Sequence, residues 1–366
     1  MNDGTGGIFE DRGIAALFRA GAIASDRALD DDQIQPASLD LRLGAKAYRV
    51  RASFLPGPDA TVEDQLKAIT LHEFALEGGA VLETGCVYLV PLMERLALPD
   101  GVEASANPKS STGRLDIFTR VIADRGRQFD RVPAGYHGPL WLEVSPRTFP
   151  VLVRAGSRLS QIRFRDADTT LDAPALEELH ARERLTDGVT PVIDARGVAM
   201  SVDLSGDAAG ANGLVGYRGK RHTGVVDVDR RRAHAVADYW EPVRAGSDRS
   251  LILDPDEFYI LVSQEAVTVP PDYAAEMVPF DPLVGEFRVH YAGFFDPGFG
   301  HAAAGGAGAR AVLEVRSHEV PFILRHGQTV GRLVYERMRA RPERLYGTLS
   351  TSNYQAQGLA LSKHFR

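Results

Sequence analysis

"VLETGCVYLVPLMERLALPD" (residues 81–100) and "LILDPDEFYILVSQEAVTVPP" (residues 251–271) are two versions of one segment, and reading them together decides the architecture. Leu98-Pro99 returns as Val269-Pro270, 171 positions later. The same spacing carries Leu142-Glu143-Val144 to Leu313-Glu314-Val315, and Gly156 to Gly327. "FPVLVRAGSRLSQIRF" from Phe149 likewise lines up with "VPFILRHGQTVGRLVY" from Val320. Three motifs at one offset mark an internal duplication. Within the copies, Ser38–Leu43, Val87–Val90, Leu140–Val144 and Val151–Arg154 are short apolar runs, several alternating with polar residues as half-buried strands do. The 36 glycines and 21 prolines supply tight turns between them. The fold expected is therefore mainly β: a first β-domain over 1–165, a linker over 166–213, and a second, diverged β-domain over 214–366. The linker is rich in Asp, Ala and Gly and carries one helical stretch, Pro174–Leu185. Near the start, Ile14, Leu17, Phe18 and Ala22 share one face at helical spacing, which predicts a short amphipathic helix over 12–20 with Asp11 as N-cap and Gly21 as stop.

A chain of 366 residues suits two domains better than one core. With 44% hydrophobic and 25% charged residues it has a globular composition and no run long enough to span a bilayer. Met1–Glu10 shows neither the basic flank nor the apolar stretch of a signal peptide. One cysteine, Cys86, forbids an internal disulfide and fits the reducing cytoplasm. A net charge of −7 speaks against a nucleic-acid partner, although local cations can still hold a single phosphate group.

Lys109-Ser110-Ser111-Thr112-Gly113-Arg114 places three hydroxyls and two cations within six residues. Such a segment suits phosphate oxygens, and it is also an ordinary solvated turn. At the repeat offset the second half reads Asp281-Pro282-Leu283-Val284-Gly285, which lacks the hydroxyls and the arginine and adds an acid. Glu143 and Glu314 point away from their apolar neighbours, as outward strand glutamates do, and as catalytic carboxylates also do. "AAAGGAGA" (Ala302–Ala309) lacks the lysine and the strand–helix setting of a phosphate loop and reads as a β-loop.

The order "IQPASLDLRLG", "PKSSTGRLDIF", "GYHGPLWLEV", "VLVRAGSRLSQIRF" resembles the dCTP deaminase branch of the dUTPase-like superfamily, in its long duplicated form. The likeness covers most of 12–165 and, more loosely, 222–362. It implies two tandem distorted β-barrels that pack in a trimer-like homo-oligomer. It implies deamination of dCTP to dUTP, with dUTP and dTTP as further possible ligands. By the same resemblance Lys109, Ser110, Ser111 and Arg114 hold phosphates, and Glu143 in one half or Glu314 in the other does the chemistry. "AGFFDPGFG" from Ala292 resembles the hairpin on which base and sugar stack, giving Ala292 and Asp296. The first half offers only "RVPAGYHG" there, with Arg131 kept, Pro133 in the aspartate's place and an apparent six-residue insertion before it. Each half thus departs from the family pattern at a different point. A self-sufficient first-half site and a composite of the two halves both stay open. "SNYQAQGLALSKHF" resembles the tail that folds over the triphosphate, through Tyr354, Gln357 and Lys363.

Hydrolytic deamination at C4 needs an activated water and a proton relay, which one positioned carboxylate can serve. The zinc deaminases use an H-x-E…P-C-x-x-C pattern. One cysteine and ten histidines without H-x-H or H-E-x-x-H spacing cannot build it. No metal site is expected in the protein, and Mg²⁺ is expected to arrive with the triphosphate. A dUTP diphosphatase or a bifunctional dUMP-forming enzyme is the nearest rival. Asp296-Pro297 and the absence of a glycine-rich closing tail argue against a pure diphosphatase. A non-catalytic nucleotide-binding regulator is the rival of another kind.

Overall fold

Alternate burial along Val87–Ala97, with Leu92, Glu94 and Leu96 inside and Arg95 and Ala97 outside, builds the longest strand of the first half. In this computed structural model all residues are described except 1–5, 188–190, 208–212, 280–286, 290–292, 318, 349–353 and 356–357; at 279 and 287–289 the backbone alone is described. The chain divides into two units: Met1–Asp168 with His222–His234 and Lys363–Arg366, and Thr169–Arg221 with Ala235–Ser362.

In the first unit one sheet runs Thr70–Ala75, Lys46–Val50, Val87–Ala97, His137–Pro146, Ile117–Ala123, and Ile23–Ser25 adds to Val87–Ala97. A second runs Leu39–Leu41, Ser160–Arg165, Glu103–Pro108, Arg131–Val132. A third joins Ala80–Leu82, Val151–Val153 and Val226–Asp227. The second unit repeats this plan. Its sheets run Trp240–Arg244, Leu214–Gly219, Phe258–Val267, Ala309–Ser317, Phe287–Val289, and Gly197–Ser201, Thr329–Arg337, Tyr273–Pro279, Phe294–Phe295, the latter with Ile193–Asp194 added at the Gly197–Ser201 edge, and Ser250–Leu253 pairs with Phe322–Arg325. The duplication expected from one offset is a duplication of strand order. It reaches single bonds: the Glu83 N–H donates to Tyr88 Oη at 3.0 Å and the Asp254 N–H to Tyr259 Oη at 3.1 Å. Gly156 and Gly327 turn the chain at the same place with φ of +91° and +76°, a region glycine enters without strain.

Three expectations need correction. The stretch read as a linker is largely structural: Ala173–Glu183 forms a helix capped by Asp172, whose carboxylate accepts the Ala175 N–H at 3.0 Å. Leu176, Leu179, Val198 and Met200 lie in the second unit's core. Low hydrophobicity hid this, because the helix buries only a narrow stripe of leucines. Conversely, 222–234 and 363–366 belong with the first unit, not the second. The N-terminal helix is Asp11–Arg19; Glu10 is its N-cap, without a side-chain bond, and Asp11 sits in the first turn. Gly21, at φ +76°, ends it as the sequence implied. Among the described residues no helix is long and apolar enough to cross a membrane.

Candidate active site

Pro108 ends the strand Glu103–Pro108, and Ser110–Gly113 then makes a single helical turn. The Lys109 carbonyl accepts from the Thr112 and Gly113 N–H groups at 2.8 and 3.0 Å. Ser111, Thr112 and Arg114 are buried, while Lys109 and Ser110 are half-buried. The Lys109 ammonium is paired with the buried Asp40 carboxylate. Arg158 reaches the same carboxylate at 3.5 Å and also pairs with Asp30 and Asp32.

The C-terminus comes to this segment. The Lys363 carbonyl accepts the Arg232 N–H at 3.0 Å, the His364 carbonyl accepts the Ala233 N–H at 2.9 Å, and the Arg366 N–H donates to His234 at 2.9 Å. Phe365 packs on Phe149 and His234. Burial lowers the Lys363 amine to a pKa of about 8; Lys109, Arg231 and Arg158 push it the same way, and Asp40 opposes them. His364 is lowered to about 4, again by burial first, while its Nε2 bonds to the Val228 carbonyl at 2.9 Å. Four cations (Lys109, Lys363, Arg158 and Arg231) and three carboxylates (Asp30, Asp32 and Asp40) thus gather here, with one positive charge in excess. Such a cluster favours a polyanion.

Glu143 lies on His137–Pro146, opposite Leu89 on one side and Arg120 on the other. It is 3% exposed. Arg120 donates to Glu143 Oε1 from Nε at 3.0 Å and from Nη2 at 2.6 Å, and Nη2 also reaches Ser53 Oγ at 2.6 Å. The guanidinium stacks on the Phe129 ring at 3.6 Å and lies 4.7 Å from that of Phe118. Among the described residues no donor reaches Glu143 Oε2, so one oxygen is fixed and the other is uncommitted. Trp141, Ile122 and Leu89 pack with Val62 and Leu66 of the helix Val62–Ile69, with Phe54 and Phe129 against them. The Lys109–Arg114 segment hands over to the Glu143 strand pair at Ile117↔Pro146, three residue steps from Arg120↔Glu143. At ~3.3 Å per residue that is about 10 Å of strand.

In the second unit Glu314 occupies the equivalent register, opposite Ile260, and is 6% exposed. Phe294–Phe295 pairs with Ala275–Glu276 as Arg131–Val132 pairs with Ala104–Ser105. That register puts Pro133 where Asp296 stands, and Phe294 where Arg131 stands. Asp296 is buried and its carbonyl accepts the Phe299 N–H at 3.1 Å, closing the hairpin turn. Phe299 packs edge-on against Phe295 at 5.0 Å and on Tyr346 at 5.6 Å. The tail meets this hairpin: the Gln355 amide accepts from the Gly300 N–H at 3.1 Å and donates to the Gly298 carbonyl at 3.2 Å. The Tyr354 N–H donates to Tyr346 Oη at 3.1 Å.

Of the residues singled out from sequence, Lys109 and Lys363 are brought together, and Asp296 shares its hairpin with the tail segment that includes Tyr354. Arg131 is exposed on an edge strand. Ala292, Gln357 and the Asp281–Gly285 counterpart of the phosphate segment lie outside the described residues. Arg120, Asp40, Arg158, Arg231 and Gln355 went unnoticed. Arg120 alone had a signal, since strand alternation places a cation opposite the glutamate. Among the described residues no group of three or more His, Cys, Asp and Glu side chains is arranged to hold a metal.

Two copies of a dUTPase-like β-domain, one bearing a hydroxyl- and cation-rich segment and both bearing a strand glutamate, define an enzyme that acts on a nucleotide. The chain belongs to the 2'-deoxycytidine 5'-triphosphate deaminase family: the family's N-terminal domain matches residues 5–168 and its C-terminal domain residues 172–365. It is a hydrolytic deaminase acting on dCTP. The structure of 2'-deoxycytidine 5'-triphosphate deaminase from Agrobacterium tumefaciens is 66% identical, covers 94% of this chain and 99% of its own, and superposes with a TM-score of 0.89. A dCTP deaminase of Haloarcula marismortui is 33% identical over 170 residues, 46% of this chain and 84% of its own. A dUMP-forming dCTP deaminase of Methanosphaera stadtmanae is 29% identical over 172 residues, 46% of this chain and 83% of its own.

Proposed function

We propose that the product is dUTP, formed without zinc, with the triphosphate held by Lys109, Ser110, Ser111, Arg114 and Lys363. The observation that supports the phosphate assignment is the meeting of Lys109 and Arg158 on the buried Asp40 carboxylate, beside the hydroxyl-bearing turn Ser110–Gly113. In the reaction a strand glutamate takes a proton from water as the oxygen attacks C4. It passes that proton to N3, then takes the proton of the new C4 hydroxyl and gives it to the amine as the C4–N4 bond breaks and C4=O forms, so dCTP and water give dUTP and ammonia. Mg²⁺ enters as part of the substrate, on the phosphate oxygens.

Glu143 is the glutamate favoured by its contacts. Arg120 fixes Oε1 and leaves Oε2 for water, in the same unit as the phosphate segment. The second reading gives the proton relay to Glu314, because the aspartate hairpin survives only in its half. Glu143→Gln and Glu314→Gln decide between them. The amide keeps shape but cannot take the water's proton, so the working position loses at least about 10² in rate while dCTP still binds. Full activity in both variants and in the double variant would remove glutamate from the mechanism.

Five relatives of the family bear the name dUMP-forming, which makes dUMP the rival product. Assembly as a trimer-like homo-oligomer and a cytoplasmic location complete the proposal. Light scattering on the purified chain tests the former, and a mass of one chain contradicts it.

A further inference from the structure

The duplication allows the two units to be compared bond by bond away from the reacting groups. In the first unit the Arg42 N–H donates to Glu94 Oε2 at 2.8 Å, and Arg42 Nε donates to Oε1 at 2.8 Å. Gln33 Nε2 adds a third bond at 2.8 Å. The outer guanidinium nitrogens reach the Ala28 carbonyl at 2.8 Å and Ser25 Oγ at 2.9 Å. Arg42 and Glu94 are 1% and 0% exposed. In the second unit the Ser201 N–H donates to Glu265 Oε2 at 2.9 Å and Ser201 Oγ to Oε1 at 2.5 Å. The Asp40 N–H donates to the Gln33 carbonyl, and the Ala199 N–H to the Val192 carbonyl, at 3.0 and 2.9 Å. Serine thus stands in the place of Arg42, Glu265 in that of Glu94, and Val192 in that of Gln33.

Where the first unit has the Arg42 side chain beside Glu94, the second has Ser201 beside Glu265 and a cavity of about 210 Å³, lined by Pro191, Val192, Ser201, Gln264, Glu265 and Thr329 among others. A water's share of liquid is about 30 Å³, so the space is several waters large. Among the described residues Glu265 has no cation in ion-pair range, and both bonds to its carboxylate come from Ser201. A half-buried carboxylate without a counter-charge is unfavourable, and here it faces an open slot whose other copy is filled by an arginine. An anion is repelled by Glu265, and an apolar molecule would strand Gln264, Ser201 and Thr329.

We infer that this cavity is a binding site for a small alkylguanidinium cation, seated as the Arg42 guanidinium is seated in the first unit. In the first unit one guanidinium N–H meets the carboxylate while the outer nitrogens reach a carbonyl and a hydroxyl, a planar spread of donors that an ammonium does not present. The site is separate from the deamination reading and stands or falls without it.

Calorimetric titration of the full chain with N-methylguanidinium, at ionic strength held by tetramethylammonium chloride, tests the assignment. Saturable binding of one cation per chain is expected, with methylammonium weaker. Glu265→Gln should weaken it roughly ten- to a hundred-fold, as loss of a charged hydrogen bond does. Ser201→Arg should abolish it by filling the slot from within, and it keeps the test alive if Glu265→Gln does not fold. Heat no greater than that of tetramethylammonium, tighter binding of methylammonium, or unaltered binding in Ser201→Arg would each overturn the inference.

Discussion

The Lys363 amine sits among Lys109, Arg158 and Arg231, and burial with their repulsion brings its pKa to about 8. An unfolded lysine titrates near ~10.4. Between those values the unfolded chain binds the extra proton, so stability rises with pH across that window, and below it the charged amine is a cost to the fold. For triphosphate the sign reverses: the cation is present below pH 8 and lost above it. Affinity for dCTP should fall as pH rises through about 8, and Lys363→Met should flatten that slope. An equal slope in the variant would detach Lys363 from the ligand. Arg114→Ala is expected to weaken dCTP roughly ten- to a hundred-fold while leaving deoxycytidine unaffected, since charged hydrogen bonds of this kind are worth ~1.5–3 kcal/mol. Equal affinity for dCTP in variant and wild type would reduce the segment to a turn.

The buried pair Arg42–Glu94 ties Leu39–Leu41 to Val87–Ala97 at the level of whole strands. Glu94→Ala leaves the guanidinium without its partner in the interior and should cost about 3–5 kcal/mol. Ser201→Ala at the matching place in the second unit should cost about 1 kcal/mol. Thermal unfolding of the two variants reads the difference, and equal shifts would deny the comparison between units. Strands were legible because apolar alternation and the repeated offset report the same thing twice. The helix Val62–Ile69 was not. Its capping box uses Asp64 where glutamate or glutamine is usual, and only Val62 and Leu66 are buried. The helix Ala173–Glu183 was seen, yet its place in a core was not, because two buried leucines look like a linker's. Candidate site residues carried by motif, such as Lys109 and Lys363, could be proposed from the sequence. Asp40, Arg158 and Arg231 meet them only through folding across the chain, which no local spacing records.

For the whole molecule, duplication explains why strand order is shared, and the two halves differ in the candidate site residues they carry. The first half keeps the hydroxyl- and cation-rich segment, and the second keeps Asp296 in its hairpin. Both keep a buried strand glutamate in one register. The central claim is that this frame deaminates dCTP to dUTP through a carboxylate and without zinc. It is tested most directly by dialysing the protein against a strong chelator, adding dCTP with excess Mg²⁺, and separating dCTP, dUTP and dUMP over time while measuring ammonia. The expected result is dUTP accumulating with one ammonia for each dCTP consumed. Turnover that returns only with Zn²⁺, or dUMP appearing from the first turnover with no dUTP released, would contradict it.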